Sequence, residues 1–205
     1  MTPPTVQFIP GAVAPSLVIH DAFGGTGNVG GRTPDTVDNG NLWVCGSAGD
    51  YVVTSGAMYA GVSSLTSFAV IDCGSTTCQI IAETRGSRNP LGTVGYRHGI
   101  IVSYDPGSGA WSRIHMNDNQ TLVLGEYTGS IYTSTVIDTF TPQPITGDFT
   151  WTIDVSGTTI DWDIANSGGS ITSGSTTATY ATSYCGGWIR YNNSNSYIAD
   201  FKVYA

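Results

Sequence analysis

The segment Phe149-Thr-Trp-Thr-Ile-Asp-Val-Ser-Gly-Thr-Thr-Ile-Asp-Trp-Asp-Ile164 constrains the fold more than any other. Apolar residues fall at every second position: Phe149, Trp151, Ile153 and Val155, then Ile160, Trp162 and Ile164. A β-strand sends alternate side chains to opposite faces, so this pattern is a hairpin with one apolar face. A tight turn at Ser156-Gly157 predicts Trp151 opposite Trp162 and Ile153 opposite Ile160. Thr150, Thr152, Asp161 and Asp163 then face water. A sheet with Trp and Ile on one face must cover that face with a second layer.

Short runs rich in β-branched and aromatic residues continue the pattern. Gln79–Arg85, Ile100–Tyr104, Trp111–Met116, Thr121–Leu124, Thr179–Tyr184, Trp188–Tyr191 and Tyr197–Tyr204 are predicted strands. Turn chemistry bounds them at Asp105-Pro-Gly-Ser-Gly109, Asn117-Asp-Asn119, Ser167-Gly-Gly-Ser170 and Asn192-Asn-Ser-Asn195. Composition removes the helical alternative. The chain holds a single lysine, Lys202, and two glutamates, Glu83 and Glu126, whereas both residue types are strong helix formers at surface positions. The prediction is an all-β, two-sheet antiparallel sandwich.

The first 20 residues differ from the rest. They contain four of the nine prolines and no charged side chain before Asp21. Proline breaks sheet ladders, so residues 1–20 read as an extended arm ahead of a sandwich over 21–205. The arm is apolar, and Val6, Phe8, Ile9, Val13, Leu17 and Val18 are the candidates for docking on a neighbouring subunit or partner. The start lacks a basic segment followed by an apolar run, so a secretory signal peptide is not expected.

Fifteen acidic against seven basic residues leave a net charge of −8. With no basic run, nucleic acid is not an expected partner, and no apolar stretch approaches the ~20 residues that span a bilayer. Cys73 and Cys78 flank Gly-Ser-Thr-Thr and could approach one another, while Cys45 and Cys185 lie apart in sequence. The favoured reading of all four is small buried hydrophobes. The histidines His20, His98 and His115 are scattered, so neither metal nor cofactor is expected. Glycoside hydrolysis needs two carboxyls flanking a cleft. The nearest imitation, Asp161-Trp-Asp163, falls on the water-facing side of the hairpin, so no catalytic residues are assigned. Aromatic rings in a groove stack on sugars, and Trp43 and Trp188, whose faces the pattern leaves unassigned, are the candidates for that.

Asp21-Ala-Phe-Gly-Gly-Thr-Gly-Asn-Val-Gly-Gly-Arg-Thr-Pro-Asp35, with Asn41-Leu-Trp43 and Ser55-Gly-Ala57, resembles the opening of concanavalin A-like (laminin-G-like) jelly-roll domains found in bacteriophage structural proteins. Gly95-Tyr-Arg97, the Trp111 strand and the Val155–Ile160 hairpin are similar to the middle of that pattern. Ile198-Ala-Asp-Phe-Lys-Val-Tyr204 resembles its last strand, and the resemblance implies that the terminal strands are neighbours. With the missing signal peptide, the acidic and lysine-poor composition, the lack of a catalytic constellation and the apolar arm, the expectation is a non-enzymatic virion protein of a tailed phage, a capsid decoration or head/tail appendage protein docked by its arm on a major capsid or other virion protein. A homo-oligomer, as a trimer matching local shell symmetry, is expected. The alternative is a carbohydrate-binding module that attaches to a host-surface glycan.

Overall fold

The computed structural model describes residues 15–47, 49–62, 67–87, 98–117, 121–139, 146–190 and 196–205. Among them there are seventeen β-strands and no helix. The first six are β1 (Leu17–Asp21), β2 (Gly27–Asn28), β3 (Thr36–Val37), β4 (Val44–Cys45), β5 (Tyr51–Thr54) and β6 (Ala57–Ala60). Then come β7 (Ala69–Asp72), β8 (Thr77–Ser87), β9 (His98–Tyr104), β10 (Trp111–Met116), β11 (Thr121–Tyr127) and β12 (Tyr132–Thr139). The last are β13 (Thr146–Ser156), β14 (Thr159–Asn166), β15 (Gly169–Thr177), β16 (Tyr184–Ile189) and β17 (Tyr197–Tyr204).

They form two antiparallel sheets. The ten-stranded sheet runs β15-β14-β13-β8-β17-β6-β5-β2, with β1 paired to β17 and to β3. The seven-stranded sheet runs β12-β11-β10-β9-β16-β7-β4. As the resemblance implies, the first and last long strands are neighbours, with Leu17 opposite Tyr204 and Asp21 opposite Phe201. Leu17 and Val18, placed by the sequence in the arm, are half-buried residues of β1. Val6, Phe8, Ile9 and Val13 lie outside the described residues.

The hairpin reads its faces as predicted: Trp151, Ile153, Val155, Ile160, Trp162 and Ile164 are all buried, while Asp161 and Asp163 are exposed. Its register differs by two residues. Trp151 faces Ile164, Ile153 faces Trp162, and Val155 faces Ile160. Gly157 and Thr158 make the turn, not Ser156 and Gly157. Gly157 has φ +60° and Thr158 is not left-handed, so glycine takes the first central position, as a type II′ turn requires. Two predictions of local structure also change. The expected strand 179–184 is a loop up to Tyr184, and the Gly/Ser/Thr stretch 169–177 is a nine-residue strand.

The core lies between the sheets. It includes Ile80, Ala82, Trp151, Ile153, Phe201 and Val203 from one sheet and Ile71, Ile100, Ile114, Leu122, Leu124 and Ile189 from the other. One charged group enters it. Asp21 is fully buried and accepts hydrogen bonds from Arg32 Nε and Nη2 (2.9 and 3.0 Å), Trp43 Nε1 (2.8 Å) and Phe23 N (2.7 Å). This carboxylate ties the glycine-rich opening loop to the end of β1.

Candidate functional site

In β9 and β10 every residue is buried, which an ordinary sandwich strand with one wet face does not show. Their inward side chains belong to the main core. Their outward ones begin a second apolar cluster of Val70, Ile101, Tyr104, Trp111 and Trp188, flanked by Phe68, Tyr127 and Tyr184. The outer face of the seven-stranded sheet is therefore an aromatic floor. Tyr104 and Phe68 rings lie 4.4 Å apart, and Trp111 stacks on Tyr127 at 5.6 Å. Burial, then the Asp105 charge, raises the Tyr104 pKa above its ordinary value.

Register arranges this face in rows across β10, β11 and β12. Trp111, Tyr127 and Tyr132 form one row, Arg113, Gly125 and Ser134 the next, and His115, Val123 and Val136 the third. The period-2 rule sends all nine residues to the same side. Gly125 sits at the centre. A Cβ there would lie 2.8 Å from Tyr132 Oη and 3.2 Å from His115 Cε1, so the missing side chain gives Tyr132 room to lean over the sheet. The Arg113 guanidinium is 3.5 Å from the Trp188 ring centre, 4.3 Å from that of Trp111 and 5.3 Å from that of Tyr132. Its Nη2 donates to Tyr132 Oη at 3.4 Å. Cation–π contact of this kind holds a buried charge over ring faces.

Beside this stack opens a hollow of about 240 Å³, lined by Arg113, His115, Asn117, Val123, Tyr132, Ser134 and Trp188. Among the described residues the lining supplies cationic, amide, hydroxyl and aromatic groups and holds no carboxylate. The Trp188 indole N–H is buried without an acceptor among the described residues, and leaving such a donor unmet costs about 1–3 kcal/mol.

The two tryptophans singled out by sequence are both buried. Trp43 lies between Phe23 (5.8 Å) and Phe201 (5.4 Å) and spends its N–H on Asp21. It is a core residue and offers no face to a sugar. Trp188 does line the hollow, but Arg113 covers its ring, so it cannot be a bare stacking platform. The accessible ring is Tyr132, 40 % exposed, which sequence reasoning missed. The signal was the outward series Trp111, Arg113, His115 at i, i+2, i+4, which gains meaning only once β11 and β12 are in register beside it.

The carboxylates lie elsewhere. Asp161 and Asp163 are on the outer face of the opposite sheet, and Asp163 accepts from Ser170 Oγ at 2.6 Å. Glu126 is engaged by Ser112 Oγ (3.0 Å) and by Thr179 N and Oγ1 (2.6 and 3.0 Å). Among the described residues no group of three or more His, Cys, Asp or Glu is arranged to hold a metal ion, and no helix is long and apolar enough to cross a membrane.

No protein-family model and no curated protein matches the sequence. Solved structures do match. The CBM2 module of the evolved Dit of Lactobacillus casei BL23 phage J-1 aligns over 93 % of this chain and 96 % of its own, at 12 % identity and TM-score 0.54. The chain is concanavalin A-like in fold. A Bacillus licheniformis β-glucanase covers 93 % of this chain and 98 % of its own at 13 % identity and TM-score 0.52. The carbohydrate-binding module CBM66 of Bacillus subtilis covers 77 % and 91 %, at 7 % identity and TM-score 0.52. Identities this low carry the jelly roll and no more, because function resides in the site placed on a fold.

Proposed function

We propose that this chain is a non-catalytic carbohydrate-binding jelly roll carried on a phage virion, taking a saccharide on the outer face of its seven-stranded sheet. The hollow beside Tyr132 carries the reading. It combines an accessible ring, a guanidinium, a serine hydroxyl, an asparagine amide and an unmet indole N–H, the donor-rich mixture that sugar hydroxyls and ring faces fit. Likeness of fold to the phage J-1 Dit module and to CBM66 supports the same reading.

The test is a glycan array followed by titration of the best hit. Tyr132→Ala removes a 40 % exposed ring and is expected to weaken binding at least about tenfold, the worth of one stacked ring, with the fold retained and the unfolding transition still cooperative. Asp161→Asn, on the opposite sheet, should bind as the wild type does. A clean array, or a hit indifferent to Tyr132→Ala, rejects the site.

The finer proposal concerns attachment. Residues 1–20, with Val6, Phe8, Ile9 and Val13 ahead of β1, would dock on a capsid or other virion protein, as a decoration or head/tail appendage, in a homo-oligomer. Deleting residues 1–14 leaves β1 whole and so separates docking from folding. Loss of particle attachment with glycan binding retained is the expected result, and attachment that survives the deletion rejects the arm's role.

A further inference from the structure

Three of the four cysteines meet at one end of the sandwich. Cys73 directly follows β7 of the seven-stranded sheet, Cys185 lies in β16 beside it, and Cys78 lies in β8 of the ten-stranded sheet. All three belong to the main core cluster and are free thiols. The turn between Cys73 and Cys78 carries the chain from one sheet to the other, so these two thiols stand on opposite layers only four residues apart. Cys73 N donates to Ser183 O at 2.8 Å, and its thiol S–H donates to the same oxygen at 2.9 Å and to Ser75 O at 3.3 Å. That pins the sulfur in the seam.

The strand register brings the thiols together: Cys185 lies opposite Ile71, two residues before Cys73, and Cys73, Cys78 and Cys185 share the main core. Cys185, then Cys78, donate toward Cys73 and draw its pKa well below an ordinary thiol's. Cys185 is pushed up by the hydrogen bonds it gives Cys73 and Cys78 and by burial. At Cys78 the bond with Cys185 lowers the pKa, but the one it gives Cys73, with burial, outweighs it. Accessibility separates the three as well: Cys73 and Cys78 keep 5 % and 9 % of their surface exposed, and Cys185 keeps 1 %.

We propose that Cys73 and Cys78 are a thiol pair that closes to a disulfide on exposure to a small disulfide oxidant, clasping the two sheets together across the 74–77 turn. Cys73 gives up the proton it directs at Ser183 O, and the thiolate so formed attacks one sulfur of glutathione disulfide, expelling a glutathione thiolate that takes up a proton. Cys78 then loses its proton and attacks the Cys73 sulfur, breaking the mixed disulfide and releasing the second glutathione. Two protein thiols are oxidised and one glutathione disulfide is reduced to two thiols. Cys185 donates to the Cys73 sulfur in the first step and remains a thiol throughout.

The experiment treats the native full-length chain with glutathione disulfide at pH 8, blocks remaining thiols after unfolding, and maps the peptides. The expected product is about 2 Da lighter before blocking, with Cys73 linked to Cys78 and with Cys45 and Cys185 blocked. Its unfolding midpoint rises by about 4–8 °C, the expected effect of closing so short a loop. Cys78→Ser should stop at a glutathione adduct on Cys73. Four blocked thiols in the wild type overturn the proposal, as does Cys185 in the cross-link or an adduct confined to Cys45.

Discussion

Replacing Asp21 by alanine removes the most heavily engaged polar group in the core, and its effect can be worked out atom by atom. The carboxylate has no exposed surface and accepts four hydrogen bonds, two of them from the Arg32 guanidinium. Breaking one side of a buried ion pair costs about 3–5 kcal/mol, because the remaining charge is left without its counterion. Arg32 is not sealed in. Its side chain is 19 % exposed, it still donates to Gly24 O at 2.9 Å, and Asp35 lies 3.8 Å away. The ionic part therefore sits at the low end of that range. The Trp43 indole has no such relief, being buried between two rings, and its unmet N–H adds about 1 kcal/mol or more. Phe23 loses the bond that holds it at φ +51°, a region costly for a residue with a Cβ.

The sum is about 4 kcal/mol, equivalent to a fall of about 8–16 °C in the unfolding midpoint for a domain of this size. Urea denaturation followed by tryptophan fluorescence measures it directly. Asp35→Ala is the internal control. Asp35 is nearly half exposed, accepts from Ala22 N at 2.9 Å and stands at ion-pair distance from the same arginine, so its loss should cost less than about 1 kcal/mol. If Asp21→Ala falls within 1 kcal/mol of the wild type, or if the two variants cost the same, the carboxylate is not the anchor of the opening loop.

Three further outcomes follow from close contacts and turn geometry. Gly174→Ala would place a Cβ 2.7 Å from Cζ2 of the buried Trp162 ring, which is pinned by its N–H to Thr172 Oγ1 at 3.3 Å. It should lower stability by about 1–3 kcal/mol in urea, and a neutral result would mean that β15 does not pack over that ring. Gly157→Ala at φ +60° should cost about 1–2 kcal/mol, whereas Ser156→Ala should be nearly silent. The reverse ranking would restore the turn at Ser156-Gly157. Asp154 and Asp161 are directly opposed like charges on β13 and β14. Asp161→Lys should therefore stabilise by about 0.2–1 kcal/mol at low salt, with the gain shrinking as salt is added. A salt-independent change would show that the pair is not repelling.

What could be read from the sequence was whatever depends on side-chain alternation within one strand. The faces of β13 and β14 follow from the period-2 pattern, and β10 and β17 are found at the residues it marks. What could not be read depends on partners distant in sequence. Strand β15 carries almost no apolar side chain, and it is a strand because Gly174 leaves space for Trp162 and Thr172 meets the indole. Residues 179–184 have strand-like composition yet stay out of the sheets until Tyr184. Glu126 captures Thr179, and Thr182 Oγ1 is held by the Tyr104 backbone N–H and carbonyl at 2.9 Å each. The site is of the second kind. Gly125 in the sequence is a weak strand residue, and only in register between Arg113 and Ser134 does it become the gap that admits Tyr132.

The two outer faces then differ in a way that bears on how the domain would meet a surface. On the ten-stranded sheet Glu83, Asp154, Asp161 and Asp163 are exposed. That concentrates like charge where it repels anionic material over about a Debye length. On the seven-stranded sheet the charged group of the hollow is a guanidinium stacked on tryptophan, with histidine, asparagine and serine around it. A chain of net charge −8 that opposes this aromatic hollow to an acidic face is oriented by its own field. Against an anionic saccharide polymer the repulsion of the acidic face would turn the hollow forward, while the net charge of −8 still opposes the encounter. Raising salt should therefore speed association with such a polymer by screening that net repulsion, while dissociation, set by the ring and hydrogen-bond contacts in the hollow, changes little.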